Sequence, residues 1–260
     1  MQHFKTIKTR TWLVISLILG FALVVTFGCD AGKLFSGELD SSKSRHSVNK
    51  EVATANYSYS ANGELLGYSE YERDSKGNII KIRNYNENEE LSGYSEFEFD
   101  SKENLTKASH YYANGEFLSC TNIEYDSNGK ETKANHYLNV NTEFSSYTEY
   151  EYDSKGKQTK LREYTARGEL LHYVEHEYDS NGNQIKNNYY HADGELLFKV
   201  ECEYDSNGNL MKRSNDINAN EELSGYAEYE WDSNGNLTKR SDYNANGELY
   251  SYTVYLYKKI

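Results

Sequence analysis

The sequence predicts an all-β fold, an antiparallel meander of about sixteen strands built from two-strand repeats. Two recurring marks carry this prediction. The dipeptide Asp-Ser recurs in steps of 26 or 27 residues, at Asp74, Asp100, Asp126, Asp153, Asp179, Asp205 and Asp232. A second mark, typically Asn-Gly-Glu-Leu, keeps the same period from Asn62-Gly63 to Asn246-Gly247. Each unit of 26–27 residues therefore holds two turns and two strands.

The two marks have the residues that tight turns require. Asn-Gly between alternating stretches is typical of a type I′ hairpin turn, which needs positive φ at both central residues. In Asp-Ser-Asn-Gly, the aspartate accepts hydrogen bonds from its own turn and the glycine supplies a left-handed position. The hexapeptide at Tyr178–Asn183 returns at Tyr204–Asn209 because the same bend is made repeatedly.

The stretches between the turns predict strands with two distinct faces, since successive side chains of a strand point to opposite sides. One face carries Glu70, Glu72 and the flanking Tyr68. The other face is less charged, and we expect it to be buried. Its members are Leu65, Ser69, Tyr71 and Ile80 in the first unit, with Phe99, Tyr125, Tyr152 and Trp231 before later aspartates.

A lysine seven residues after each aspartate tests the strand register. If Asp74–Gly77 is a four-residue loop, Lys81 lies opposite Glu70. If Asn88-Glu89 is a two-residue loop, Lys81 also lies opposite Glu96. The two assignments agree on a Glu/Lys ladder, which cross-strand pairing favours.

The two longer units predict β-bulges near Tyr137–Val140 and Ile217–Ala219. An open sheet of about sixteen strands would curl, because twisted sheets rarely exceed about ten strands. We therefore expect a curved sheet, a hairpin spiral or a solenoid. The last strand ends in Lys258 and Lys259, which we expect to protect a free sheet edge.

Residues 1–29 are a different kind of sequence, a basic start followed by an uncharged apolar run. This pattern predicts an N-terminal signal helix. Thr26–Cys29 resembles the lipobox of bacterial lipoproteins, which implies that Cys29 is lipidated; an uncleaved membrane anchor and ordinary secretion are the alternatives. Residues 30–55 predict a flexible tether. Residues 56–260 form the predicted repeat domain.

The net charge of −13 bears on the partners that we expect. It argues against nucleic acid, because phosphate recognition needs clustered Lys and Arg. Anionic lipid headgroups would repel such a chain, so the membrane contact would come from the N-terminal lipid or anchor. The predicted location is the bacterial cell envelope, on its surface or periplasmic side.

The final unit, "WDSNGNLTKRSDYNANGELYSYTVYLY" (Trp231–Tyr257), resembles the tyrosine–aspartate repeats of RHS and teneurin-type proteins, with their YD-x-x-G-N-L core. The resemblance extends over about residues 57–257. It implies a hairpin spiral, which family members use as a shell around a toxin or as a module that binds carbohydrate or protein. This chain is too short to close a shell, and Glu103 replaces one turn glycine. A weaker likeness is to the aromatic hairpin repeats of cell-wall-binding proteins.

One pattern suggests catalysis but has a structural explanation. His172–His176 has the H-x-x-E-H pattern of an inverted zinc protease motif, which works on a helix. On a strand, His172 and His176 share a face while Glu175 points the other way. The paired glutamates recur in nearly every unit, whereas catalytic groups need not recur. The sequence therefore predicts no enzyme and no metal site.

Two further features are also interpreted as structural. The aspartate turns resemble calcium loops, but a lysine occupies their middle position at Lys76, Lys102 and Lys155. Cys120 and Cys202 fall six strands apart on opposite faces, too far for a disulfide. We expect two packed or free thiols.

Tyrosines on the charged face form the predicted binding surface, because such rings stack on sugars and anchor protein partners. The candidates are Tyr68, Tyr85, Tyr94, Tyr111, Tyr147, Tyr164, Tyr173, Tyr226 and Tyr243. Cross-strand packing is the structural alternative. The function we expect is a lipid-anchored, non-catalytic binding or scaffold protein without a cofactor. The alternatives are a carbohydrate or cell-wall-binding repeat protein, and an RHS-related remnant or immunity-like protein of a toxin system.

Overall fold

A computed structural model describes residues 51–138, 143–218 and 220–259. The predicted signal helix, Cys29 and residues 30–50 of the predicted tether lie outside the described residues. The described part is all β, as predicted, with sixteen strands. The first eight are β1 (Glu51–Ser60), β2 (Leu65–Arg73), β3 (Ile79–Asn86), β4 (Leu91–Phe99), β5 (Leu105–Tyr112), β6 (Phe117–Tyr125), β7 (Glu131–Leu138) and β8 (Glu143–Tyr152). The other eight are β9 (Gln158–Thr165), β10 (Leu170–Tyr178), β11 (Gln184–His191), β12 (Leu196–Tyr204), β13 (Leu210–Asn218), β14 (Leu223–Trp231), β15 (Leu237–Asn244) and β16 (Leu249–Lys259).

The sheet closes on itself as a barrel in which every strand pairs antiparallel with its neighbours in the chain. Closure is made by β1 and β16, which pair from Glu51 opposite Lys259 to Ser60 opposite Ser251. The expected free edge at the last strand is therefore wrong, because β16 has partners on both sides. The sheet begins at Glu51, so the last five residues of the predicted tether belong to β1.

The hairpin turns differ from the predicted type I′. At Asn62-Gly63, the amide of Gly63 donates to Ser60 O (2.9 Å) and that of Ser60 donates to Glu64 O (2.8 Å). Only Gly63 has positive φ, at 82°, whereas Asn62 does not. This is a type I turn followed by one left-handed residue, the usual three-residue hairpin loop. Glu89, Glu103 and Glu221 take the same left-handed conformation where glycine is missing.

The aspartate turns have the predicted chemistry. Asp74 Oδ1 accepts hydrogen bonds from the amides of Lys76 and Asn78, both at 2.9 Å. Its Oδ2 accepts from Asn78 Nδ2 at 3.1 Å. Gly77 is left-handed, with φ at 98°. The same pattern of bonds recurs at Asp100, Asp179, Asp205 and Asp232.

Of the two predicted cross-strand partners of Lys81, one is confirmed and the other is wrong. Lys81 lies opposite Glu96, as expected. On its other side it lies opposite Glu72, not Glu70. The aspartate turn closes between Asp74 and Asn78, so Arg73 pairs with Ile79 and not with Asn78. Ile80 is then bulged out of the ladder, and the two changes together move the pairing by two residues. The same bulge places Ile79, not Ile80, in the core, with 4% of its surface exposed.

Bulges occur in almost every unit, whereas the sequence predicts them only in the two longer ones. In the first longer unit, the register shifts between His136 and Tyr137, next to the predicted place, and Tyr137 and Leu138 then pair with Phe144 and Glu143. Asn139 and Val140 lie outside the described residues. In the second, the extra residue falls on β13 between Arg213 and Ile217, slightly before the predicted place.

The two faces of the sheet have the character that the sequence predicts. We call the face that bears Glu70 and Glu72 the outer face, and the face that bears Tyr71 the inner face. Inner-face side chains form most of the core, among them Phe97, Ala108, Ala134, Leu161, Val174, Val200 and Ala227, each at most 7% exposed. Aromatic residues before the aspartates, and Tyr257 at the equivalent position of β16, join successive hairpins. Their hydroxyl or indole groups donate to a carbonyl of the preceding hairpin, in Tyr125, Tyr178, Tyr204, Trp231 and Tyr257.

Candidate functional site: the outer and inner faces of the barrel

The outer face carries a ladder of ion pairs across the strands. Lys81 Nζ lies 2.8 Å from Glu96 Oε1, and Lys160 Nζ lies 2.9 Å from Glu175 Oε1. Lys239 pairs with Glu230 at 3.1 Å. The carboxylates of these pairs remain 45–63% exposed, so each pair contributes little to stability. This face is a hydrated, charged surface.

All nine tyrosines of the predicted binding surface lie on this face, and all are stacked in pairs within hairpins. Ring centroids are 4.5–4.9 Å apart and the rings are within 18° of parallel. The pairs are Tyr68–Tyr85, Tyr94–Tyr111, Tyr147–Tyr164, Tyr173–Tyr190 and Tyr226–Tyr243. Tyr190 belongs to the set although the sequence analysis omits it.

A lysine covers the second ring face in most pairs. Lys81 Nζ lies 4.2 Å from the ring centroid of Tyr94, and Lys133 Nζ lies 3.9 Å from that of Tyr147. Lys160 over Tyr173 and Lys212 over Tyr226 repeat the arrangement at 4.0 and 4.1 Å. Such contacts are cation–π interactions. In these four tyrosines, one ring face contacts a tyrosine and the other contacts a lysine. Only the ring edges and hydroxyl groups of these four residues are therefore open to a partner.

The inner face carries a polar network whose positions repeat but whose residue types change from hairpin to hairpin. Ser95 Oγ and His110 Nδ1 are 2.8 Å apart. His136 bridges Thr121 and Thr148 through its two ring nitrogens, at 3.0 and 3.1 Å. Burial lowers the pKa of His110 to about 4, and burial also lowers the pKa of His136. These histidines therefore act as neutral hydrogen-bonding groups at neutral pH.

Glu163 extends this network to the next hairpin. Its Oε2 lies 3.1 Å from His172 Nε2. Burial raises the pKa of Glu163, but the hydrogen bond and charge of His172 outweigh it and leave the pKa below its ordinary value. The carboxylate is therefore ionised at neutral pH, with His172 as its partner.

The H-x-x-E-H pattern is divided between the two faces, as the strand interpretation predicts. His172 and His176 lie on the inner face, where His176 contacts Asn187 Oδ1 at 2.7 Å. Glu175 lies on the outer face and pairs with Lys160. No group of three or more His, Cys, Asp and Glu side chains within residues 51–138, 143–218 and 220–259 is arranged to hold a metal ion.

Cys120 and Cys202, the cysteines within the described residues, are buried on opposite faces and form no disulfide. Cys120 lies opposite Tyr137 on the outer face, where another hairpin would have a tyrosine pair. Cys202 lies opposite Arg213 on the inner face. Burial raises the pKa of the Cys120 thiol, so this thiol is unreactive at neutral pH.

The aspartate turns use their oxygens internally. Hydrogen bonds from the side chain and amide of Asn104 hold the pKa of Asp100 below its ordinary value. The same oxygens would be the ligands of a calcium ion, and here the turn's own donors occupy them.

The comparisons with known proteins give a fold but not a function. A family described as "Protein of unknown function (DUF2963)" matches residues 164–215. No curated protein matches the chain. A porin-like protein from Bacteroides uniformis is similar with a TM-score of 0.53 and 9% identity, over 79% of this chain and 98% of that one. At this identity the likeness shows the fold alone.

Two toxin complexes are also similar, with lower TM-scores than the porin-like protein. TcdB2-TccC3-TEV has a TM-score of 0.34 and 15% identity, over 76% of this chain. TcdB2-TccC3-Cdc42 has a TM-score of 0.34 and 10% identity, over 88% of this chain. The matched regions span only 13% and 15% of those chains.

Among residues 51–138, 143–218 and 220–259, no helix has the length and hydropathy of a membrane span.

Several polar groups of the inner face are not predicted from the sequence. His110 and Glu163 belong to a column that is polar in several units, with Asn84 and His136, whereas Arg213 and Arg240 stand where other units have smaller or apolar residues. Departure from the repeat is the signal that could have found the two arginines, because a charged side chain in a mostly buried column needs a partner.

Proposed function

We propose that this chain is an envelope-anchored, non-catalytic binding or scaffold protein, in which the barrel presents its outer face to a partner. The observation that carries the proposal is the outer face itself. It repeats Tyr pairs, glutamates and lysines in nearly every hairpin, on a closed sheet without a free edge. Such a surface offers many equivalent contacts at a fixed spacing.

The N-terminal sequence supports the anchoring part of this proposal. Thr26–Cys29 ends the apolar run in the way that a lipidation site does. Lipid on Cys29 would hold the barrel at a membrane through a tether, while its charged outer face stays in water.

The arrangement of the polar groups favours binding over catalysis. Outer-face glutamates recur and are paired with lysine or arginine. The inner histidines are held in hydrogen bonds to Ser, Thr and Asn side chains. The histidine contacts lie on the inner face, and the outer-face carboxylates are held in ion pairs, so neither set is presented to a substrate on the outer face.

Carbohydrate binding by ring stacking could use only part of the tyrosine surface. A sugar needs an open ring face, and Tyr94, Tyr147, Tyr173 and Tyr226 have a tyrosine on one face and a lysine on the other. The ring edges and carboxylates suit a polar protein partner better. The toxin complexes are too distant to extend their function to this chain.

Site-specific photocrosslinking in producing cells tests the proposed surface. Azidophenylalanine would replace Glu98 or Glu177 on the outer face, and Tyr125 on the inner face as the matched control. We expect discrete adducts from the outer positions and none from Tyr125. Equal labelling from both faces, or no adduct from either outer position, would contradict the proposal.

The anchor is tested separately by metabolic labelling with an alkyne fatty acid. Label on the parent chain should disappear in Cys29→Ala, and this variant should leave the membrane fraction. If the label persists in Cys29→Ala, lipidation at this residue is ruled out.

A further inference from the structure

Two arginines occupy the inner face near the end of the chain. Arg213 on β13 lies opposite Cys202 and Ala227, and Arg240 on β15 lies opposite Tyr229. The corresponding residues of earlier hairpins are Ile82, Ala108, Ala134, Leu161 and Asn187. Positive charge therefore enters a column that is otherwise uncharged.

Arg240 is already paired, but Arg213 is not. Arg240 Nε and a terminal nitrogen donate to Asp242 Oδ1, at 3.0 and 2.6 Å. Arg213 has no hydrogen-bond or ion-pair partner in the part of the chain that the structure describes. On the outer face, by contrast, Arg83 and Arg162 are paired with Glu72 and Glu151. The two inner arginines and Asp242 together leave one uncompensated positive charge.

A half-buried guanidinium without a partner is costly, because the interior solvates charge poorly. Tyr229 lies between the two arginines, on β14, and interacts electrostatically with both. Strands two apart in a sheet are separated by about 10 Å, so side chains from β13 and β15 can converge on one small group between them. Solvent reaches this region, since 30% of the Arg240 side chain is exposed.

We propose that Arg213, Arg240 and the Tyr229 hydroxyl form an anion site inside the barrel that binds a phosphate group, free or esterified. Guanidinium groups donate two parallel hydrogen bonds to oxyanions of this kind. The site goes beyond the proposed function, because it uses the inner face and not the outer one. The chain's net charge of −13 repels anions in general, so only a local site can hold one.

The test is thermal unfolding and calorimetric titration of the full chain with inorganic phosphate, at constant ionic strength with chloride as the reference salt. We expect phosphate to raise Tm saturably, since it binds the folded state. Arg213→Met should weaken phosphate binding by about tenfold or more, because it removes charge-assisted hydrogen bonds. Arg162→Met on the outer face is the matched control and should bind as the parent does.

A second measurement separates a ligand site from a structural role. In phosphate-free buffer, Arg213→Met should be at least as stable as the parent, because Arg213 has no partner to lose. If that variant does not fold, Arg213→Lys is the replacement. Lysine keeps the positive charge but lacks the two parallel N–H donors of the guanidinium, so this variant should bind phosphate more weakly than the parent. No saturable phosphate effect in the parent, or an unchanged affinity in the Arg213 variants, would overturn the proposal. Tighter binding of glycerol phosphate than of inorganic phosphate would identify an ester as the ligand, and the reverse would identify the free ion.

Discussion

The outer and inner faces of this barrel belong to the same strands but follow different rules. The outer face repeats itself, with Lys81 and Lys160 making the same glutamate and tyrosine contacts in different hairpins. The inner face changes along the chain, from Ile82 and Leu161 to Arg240 at equivalent ladder positions. The repeated residues therefore form the turns, the strands and the outer-face contacts, and the residues that depart from the repeat give the inner face its local differences.

The first way to test this comparison is to truncate neighbouring residues of β9 that point to opposite faces. Leu161 is 3% exposed on the inner face, and Leu161→Ala should lower the free energy of unfolding by about 2–5 kcal/mol. Arg162 makes an outer ion pair with Glu151, and Arg162→Ala should cost about 1 kcal/mol or less. Urea denaturation measures both. Equal losses would show that the two faces do not differ as described.

The second test uses pH, because the described histidines whose pKa is lowered by burial lie on the inner face. Burial lowers the pKa of His110 from an ordinary 6.5 to about 4. The unfolded chain therefore binds more protons between these values. The stability that neutral His110 provides is complete above pH 6.5 and is lost as the pH falls towards 4.

The slope in this window should reach about 1.4 kcal/mol per pH unit for each such group. Urea midpoints measured from pH 7 to pH 4 give the slope, and His110→Gln should reduce it. An identical slope in parent and variant would remove His110 from the explanation.

The third and smallest effect concerns the outer tyrosines. Tyr94 stacks on Tyr111 and lies under Lys81. Tyr94→Ala should cost about 1–2 kcal/mol, since it loses both ring contacts. Tyr94→Phe keeps both ring faces and should change stability by less than about 0.5 kcal/mol, as surface changes usually do. A comparable loss in the two variants would assign the effect to the hydroxyl group instead of to stacking.

The sequence by itself determined the number of strands, the two faces and the turn positions. These features are local and are repeated in every unit, so each unit confirms the others. The aspartate turns are the clearest case, because Asp74 and Gly77 act within five residues of chain. Lys81 opposite Glu96 was also predictable, although the turn that produces the register differs from the expected one.

Only the tertiary structure decided the remaining features. Closure depends on β1 meeting β16, a contact between the two ends of the repeat domain that no local pattern encodes. The turn that closes at Asp74 and Asn78 and the bulge at Ile80 together move Lys81 from Glu70 to Glu72, because each shifts the ladder by one residue without changing the composition. The Tyr94 ring becomes covered only when Lys81 of the neighbouring hairpin lies over it. Arg213 and Arg240 lie in different hairpins, and it is the packing of the strands that brings their charges to one inner face.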